Sequence, residues 1–223
     1  MRPAFWPNLE YFWRMYQCHT VILTDHLLFV KQREMTVSAP FRDKMQRLRV
    51  PVRHIGRPLT IAEKEMDGQH AWRRDHIEAL RSIFVNSDWQ FLYMPRIQEL
   101  YDRAGENLAD WLYHLIVFQM EALHLKARLF TSARLRTAGD ATQFVLDACS
   151  QYGCTAYRAE PQVFERDWVD RQRLEKAAIS TAVFDPLPDA HILQSAAKDA
   201  ALSFLMDFGP EAGYLLRQFD TSE

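Results

Sequence analysis

Apolar positions recur along this chain with two different periods, and the changes of period divide it into elements. Asn8 stands at a helix start after Pro7, and Tyr11, Phe12, Met15 and Tyr16 make one helical stripe. Val21-Ile22-Leu23 is a short continuous apolar run of the kind a buried strand presents, ending at Asp25-His26. Extended chain is expected over residues 29–37. The weak alternation of Leu48-Arg49-Val50-Pro51-Val52 predicts an edge-like strand, because proline gives up a ladder hydrogen bond. Helical spacing then takes over. Residues 69–85 are amphipathic, Asn86-Ser87-Asp88 breaks the pattern, and Trp89, Phe91, Leu92 and Tyr93 form an aromatic-rich run before Pro95, which is placed to begin the next helix. Asn107 caps a further helix over 108–123, apolar on most sides and therefore a buried core helix.

From residue 127 the period alternates. Strands are predicted over 127–131, 155–157 and 180–184, with helices over 140–152 and 171–177 between them. Strand and helix in turn imply parallel pairing through crossover helices. A helix over 195–208 and, after Gly209-Pro210, a short one to Arg217 close the chain. With 223 residues, no internal repeat and no linker-like stretch, one domain over 1–223 is expected. The expected fold class is α/β: a mostly parallel sheet flanked by helices, a Rossmann-like three-layer sandwich with a helix-rich middle segment.

Composition narrows the class. At 48% hydrophobic and 25% charged, the chain can bury a real core, which excludes disorder. Its apolar stretches are broken by Asp, His or Arg within a dozen residues, short of the roughly 20 that cross a bilayer, so no membrane span is expected. Met1-Arg2-Pro3-Ala4-Phe5-Trp6-Pro7 has no apolar h-region, and no secretory signal is expected. Cys18, Cys149 and Cys154 make neither an even framework nor a CxxC pair, which suits reduced, mostly buried thiols and a cytoplasmic location.

Lys and Arg number 27 against 29 Asp and Glu, so charge is informative only locally. Residues 42–57 hold Arg42, Lys44, Arg47, Arg49, Arg53 and Arg57 with His54, against the single acid Asp43. Such a run is either a solvated strand edge or a line of cations that follows a nucleic-acid backbone. Trp72-Arg73-Arg74-Asp75-His76 can extend the second reading, although Trp72 reads first as a core-packing residue. Asp25, His26, Lys31 and Arg33 bring an acid, an imidazole and two cations into nine positions. In extended chain Asp25, Lys31 and Arg33 share a face and His26 points away; such a face can hold a phosphorylated leaving group, and the alternative is a surface ion-pair cluster. The seven glycines form no phosphate-binding loop, the eight histidines have no metal-ligand spacing, and no GxSxG elbow occurs. Neither a cofactor nor a metal is expected, and Ser87, Ser132 and Ser195 read as breaks or helix caps.

Several of these segments resemble one family in order. Arg2-Pro3-Ala4-Phe5-Trp6-Pro7-Asn8-Leu9-Glu10-Tyr11-Phe12 is similar to the opening of the WbqC-like family, H-Q-P-x-Y-L-P-W-L-G-Y-F, and Asp25-His26-Leu27-Leu28-Phe29-Val30-Lys31 to its D-D-V-Q-[FY]-x-K. Val50-Pro51-Val52-Arg53 resembles T-[IV]-P-V-K, Trp72-Arg73-Arg74-Asp75-His76 resembles W-R-K-K-H, and Leu108-Ala109-Asp110 and Phe208-Gly209-Pro210-Glu211-Ala212 fit later segments. The chain departs where Arg2 replaces Gln, Glu10 replaces Gly, His26 replaces the second Asp, and Tyr157-Arg158-Ala159-Glu160 replaces Y-x-S-G. It also begins where the family has a strand, so either that strand is shortened or the start is misassigned.

The resemblance implies a transferase of amino acids, glycine foremost, in surface-polysaccharide synthesis or, as in bacteriophage relatives, in thymine hypermodification of DNA. In the latter the amine displaces pyrophosphate from an activated 5-hydroxymethyluracil base, so modified DNA and a free amino acid are the expected partners. On that reading Lys31 and Arg33, with Arg53 or Arg74, meet the pyrophosphate. Asp25, His26 or His76 takes the amine proton, and Arg2, in the opening segment with Tyr11, meets the amino-acid carboxylate. Phe5, Trp6 or Trp72 offers a stacking surface for an unstacked base. A non-catalytic nucleic-acid-binding module is the reading from a different class.

Overall fold

Asn8 caps the first helix as the sequence predicts: its side-chain oxygen accepts the Tyr11 N–H at 3.2 Å. The structure, a computed structural model, describes residues 1–30, 36–41, 46–68, 71–135 and 139–218. Its elements run α1 (Leu9–Tyr16), β1 (Thr20–Leu23), β2 (Ser38–Phe41), β3 (Gln46–Arg49), α2 (Ala71–Ile83), α3 (Gln90–Asp102), α4 (Leu108–Ala122), β4 (Arg128–Thr131), α5 (Ala141–Tyr152), β5 (Ala156–Ala159), α6 (Pro161–Glu165), α7 (Arg171–Lys176), β6 (Ser180–Val183), α8 (His191–Ala196), α9 (Ala201–Phe208) and α10 (Ala212–Gln218). Parallel pairs flanked by helices bear out the α/β class. β1 pairs with β4, Thr20 opposite Arg128 through Leu23 opposite Thr131, and β5 pairs with β6. A third two-stranded ladder, antiparallel, joins β2 to β3.

Most of the predicted elements are in place, and the differences have local causes. Pro95 lies inside α3, which begins five residues earlier, so the aromatic run is part of that helix. A proline this near a helix start forfeits one intrahelical bond, to a carbonyl in the first turn. The helix expected over 195–208 is two helices, α8 and α9, because residues 197–200 turn away: the Ala200 N–H is given to Pro40 C=O and the Ala201 N–H to Pro7 C=O, both to chain outside the helix. α6, short and started by Pro161, has too few residues to show a period. The edge strand is β3, with Leu48 buried between the exposed Arg47 and Arg49.

The core gathers around α4. Asn107 accepts the Asp110 N–H at 2.9 Å, and nine residues of the helix are buried, among them Trp111, Leu112, Leu115, Ile116 and Phe118. Burying such side chains contributes about 1.5–3 kcal/mol each. Phe5 and Trp6 are buried in the same core, Phe5 stacked on Trp111 and Trp6 edge-on to Phe118, so neither offers a surface to a nucleobase. A smaller cluster of Val145, Cys149, Val169, Leu174 and Ile179 lies under α5 and α7. Of the three thiols, Cys149 is buried and Cys18 and Cys154 are half-buried.

The turn between α2 and α3 is seated on the end of α9. Ser87 Oγ donates to the Met206 carbonyl, and the Trp89 indole lies against Gly209. Gly209 has φ +55° and ψ −136°, a conformation that side chains other than glycine's rarely adopt, and a Cβ there would stand 2.2 Å from Trp89 Cδ2. Gly209→Ala is therefore expected to cost about 2–4 kcal/mol, from backbone strain plus overpacking. Urea unfolding measures it. Adding Trp89→Leu should recover the steric part only, whereas Gly56→Ala, with open space around its Cα, should stay within about 0.5 kcal/mol of the parent.

Candidate active site

In parallel sheets the residues just past the carboxyl ends of the strands are free to meet ligands. Here β1 ends before Asp25-His26, and its neighbour β4 ends before a single 3-10 turn, Ser132–Arg134. The pairing therefore sets Asp25 and His26 beside Ser132, 107 residues away. Asp25 is buried at 4% exposure, and its Oδ1 accepts both the Ser132 hydroxyl and, at 3.1 Å, the Ala133 N–H. His26 is exposed, with Nδ1 2.7 Å from Ser132 Oγ and its backbone N–H given to the same oxygen at 3.1 Å. One side of its ring rests on Phe144 of α5, centroid to centroid 4.8 Å. Desolvation lowers the imidazole pKa, Asp25 raises it, and the Met1 amino group lowers it again.

This arrangement corrects the extended-chain expectation, in which Asp25 and His26 point to opposite faces. The Leu27 N–H bonds back to Thr24 C=O, and the resulting turn aims both side chains at one hydroxyl. The loop is then pinned from the other side: Phe29 N–H to Leu59 C=O at 2.8 Å, Ile61 N–H to Leu27 C=O at 3.0 Å and Ala62 N–H to Asp25 C=O at 2.9 Å. Arg2 joins it by donating to the Leu28 carbonyl, and Tyr11, whose hydroxyl donates to Arg2 C=O at 3.0 Å, holds the Arg2 backbone in place. Tyr11 is buried, which raises its pKa and keeps it protonated. Lys31 and Arg33, and likewise Arg42 and Lys44, lie outside the described residues.

The remaining predicted residues lie apart from Asp25 and His26. Arg53 pairs with Glu65 at 2.5 Å and Glu106 at 3.5 Å, and Arg57 with Glu63 at 3.4 Å. Acids from residues 63–106 thus offset two cations, Arg53 and Arg57, of the basic run over 42–57. Arg47 donates to Ser38 Oγ at 3.3 Å. Trp72 packs against Tyr101 and Trp111 with its indole N–H on Asp67 C=O, and Arg73 lies over its ring, 5.5 Å from the centroid, and donates to Gly105 C=O. Arg73, Arg74 and Arg81 line an open groove of about 420 Å³ between α2 and α3, shared with Glu78 and Asp102.

His76 is in the interior, at 6% exposure. Its Nε2 faces the Arg49 carbonyl at 3.2 Å and so must carry the hydrogen; its Nδ1 then accepts from the Tyr101 hydroxyl at 3.2 Å, which in turn accepts the Trp6 indole N–H at 3.3 Å. Both ring nitrogens are occupied, which places this histidine in the core and away from any amine bound beside Asp25.

The model of the WbqC-like protein family matches residues 2–191. The chain belongs to that family. No curated protein and no solved structure matches it. Membership in the WbqC-like family points to a transferase-type activity, and the matched span includes Asp25, His26 and Ser132. The WbqC-like opening and the Asp25 segment meet through Arg2 and Leu28, while the segments around Pro51 and Trp72 pack together deeper, His76 on Arg49. Ser132 and Phe144 carry no signal in the sequence, since each acquires its role through contact with a residue more than a hundred positions away.

Three cationic side chains missed in the sequence, Arg14, Arg158 and Lys64, also bear on this region. Arg158, past the midpoint of β5, binds Gln17 Oε1 at 2.7 Å and Asp185 Oδ2 at 2.8 Å, and Arg14 bridges Glu10 and Glu160; these contacts tie α1 to the β5–β6 pair. Lys64, buried, gives its ammonium to Arg53 C=O at 2.5 Å and lies 5.1 Å from the Phe29 ring centroid.

Burial holds the His76 pKa down from 6.5 to about 4, with the Arg49 carbonyl and Asp75 opposing. A pKa depressed on folding means that the unfolded chain binds the extra proton between those two values. The stabilisation is therefore complete above pH 6.5 and is lost as pH falls toward 4, by up to about 3 kcal/mol. Urea midpoints measured from pH 7.5 to 4 should fall through this window. His76→Gln should start less stable at pH 7.5 and show a shallower decline.

Proposed function

We propose that this WbqC-like chain is an amino-acid transferase in which the amine of a free amino acid, glycine in the first instance, displaces pyrophosphate from an activated 5-hydroxymethyluracil base in DNA. The observation that carries the reading is an exposed imidazole beside a buried carboxylate at the ends of two parallel strands, in a chain of this family. An ammonium cannot attack, so the amine must first be neutral. Its nitrogen then forms a bond to the exocyclic methylene carbon, the carbon–oxygen bond to pyrophosphate breaks, and the proton released from nitrogen needs a base. On this reading Arg2, which donates to the Leu28 carbonyl beside the loop, also meets the amino-acid carboxylate. Arg73, Arg74 and Arg81 offer phosphate contacts along the α2–α3 groove.

A second acceptor, a sugar intermediate of surface-polysaccharide synthesis, is favoured by the ion pairs of Arg53 and Arg57, which reduce the charge available to DNA. The test is incubation with glycine and pyrophosphorylated 5-hydroxymethyluracil DNA, with the adduct read by nucleoside mass spectrometry. The adduct is expected, together with DNA binding that weakens as salt rises. His26→Ala should lower the rate by about 10²–10⁴. Transfer to an activated sugar with no retention of DNA would replace the DNA acceptor. No adduct with any amino acid or acceptor would sink the transferase reading and leave a binding module, and an unchanged rate with Asp25→Ala and His26→Ala would remove these two residues from the reaction.

A further inference from the structure

The number of hydrogens available where β1 and β4 end determines what each group there can do. The Asp25 carboxylate only accepts, and its Oδ1 takes the Ser132 hydroxyl and the Ala133 N–H. A serine hydroxyl has one hydrogen, and that hydrogen is committed to Asp25. Ser132 Oγ therefore faces His26 as an acceptor: it receives the His26 backbone N–H, and it can bond to Nδ1, 2.7 Å away, only if Nδ1 brings the hydrogen. A neutral imidazole protonated on Nδ1 has a lone pair on Nε2. Among the described residues His26 Nε2 has no hydrogen-bond partner, and the residue is exposed.

We propose that Ser132 is the positioning residue that keeps His26 in its Nδ1–H tautomer, so that Nε2 is the base for the incoming amine and the Asp25 carboxylate acts on the ring through the serine hydroxyl. The identity of the proton donor rests on the transfer reading above; the tautomer does not. Of the three candidate bases, Asp25 is buried and His76 has both nitrogens occupied, which leaves His26. The balance is simple. One proton leaves the amine nitrogen as it bonds to carbon, arrives on Nε2, and passes from there to solvent. While the ring is charged, the chain Nδ1–H to Oγ–H to Oδ1 points every donor toward the carboxylate, and its dipoles reinforce one another. Partial burial of the ring, against Phe144 on one side, and the Met1 amino group oppose the charged form, and Asp25 favours it. Phe144 also fixes the plane of the imidazole, so Ser132 has one orientation to hold.

Long-range proton–nitrogen correlation spectra of ¹⁵N-histidine-labelled protein, assigned with His26→Gln, read the tautomer without any substrate. The expected wild-type spectrum has His26 Nδ1 protonated and Nε2 unprotonated. Ser132→Ala should shift the population toward Nε2–H, and Ser132→Thr, which keeps a hydroxyl, should restore it. In transfer assays Ser132→Ala should lower kcat at least about tenfold, leave KM for the acceptor unchanged, and move the acid limb of the kcat/KM profile to lower pH, because the link to Asp25 is cut. An Nε2–H ring in the wild-type protein, or the same tautomer in Ser132→Ala, overturns the proposal and leaves the transfer reading standing. Loss of the transfer reading with the expected tautomer intact would fail in the opposite sense, so the two are separable.

Discussion

Parallel pairing of β1 with β4 is the constraint on which the site depends. A parallel pair cannot be closed by a tight turn, so about a hundred residues of helix-rich chain separate its strands. Both strands then end at the same edge of the pair, and the residues beyond them are delivered to one place. Asp25, His26 and Ser132 need no further device to meet. The turn at Thr24–Leu27 does the final aiming, and the bonds from residues 59–62 keep it from relaxing into extended chain.

The helical middle segment supports that edge by forming a core of high aromatic content. Trp6, Trp72, His76, Tyr101 and Trp111 interlock, and their polar atoms are satisfied among themselves or by backbone carbonyls. This is where a buried imidazole is tolerable, since burial of the neutral ring with two partners costs little and burial of the charged ring costs much. Two histidines that look alike as titratable groups are thereby sorted into different roles by solvent access. Close approach of helices completes the support: a Cβ on Gly213 would stand 2.3 Å from the Leu123 carbonyl oxygen, so α10 reaches the end of α4 only with glycine there.

Charge behaves in the same way. A run of cations is a statement about sequence, whereas a positive surface is a statement about what folds next to it. Arg53 and Arg57 meet Glu63, Glu65 and Glu106, while Arg14 on Glu160 and Arg158 on Gln17 fasten α1 to the second strand pair. Along the α2–α3 groove Arg73, Arg74 and Arg81 stand beside Glu78 and Asp102, with Arg74 3.9 Å from Glu78.

The sequence by itself determined the elements whose signals are local. The caps at Asn8 and Asn107, the stripe of α1, the apolar run of β1 and the alternation after residue 127 all depend on residues a few positions apart, and the structure has each of them. The same was true of Asp25-His26 as residues beyond a strand end. Pro95 misled because its cost inside a helix depends on how near the start it lies, which the pattern does not show. Only the tertiary structure decided the chemistry of the site: that Ser132 is a partner of both Asp25 and His26, that His76 is core, and that acids pair with Arg53 and Arg57 of the basic run. Each of these is a contact between residues far apart in the chain, created by strand pairing and core packing, and no spacing rule along the sequence encodes it.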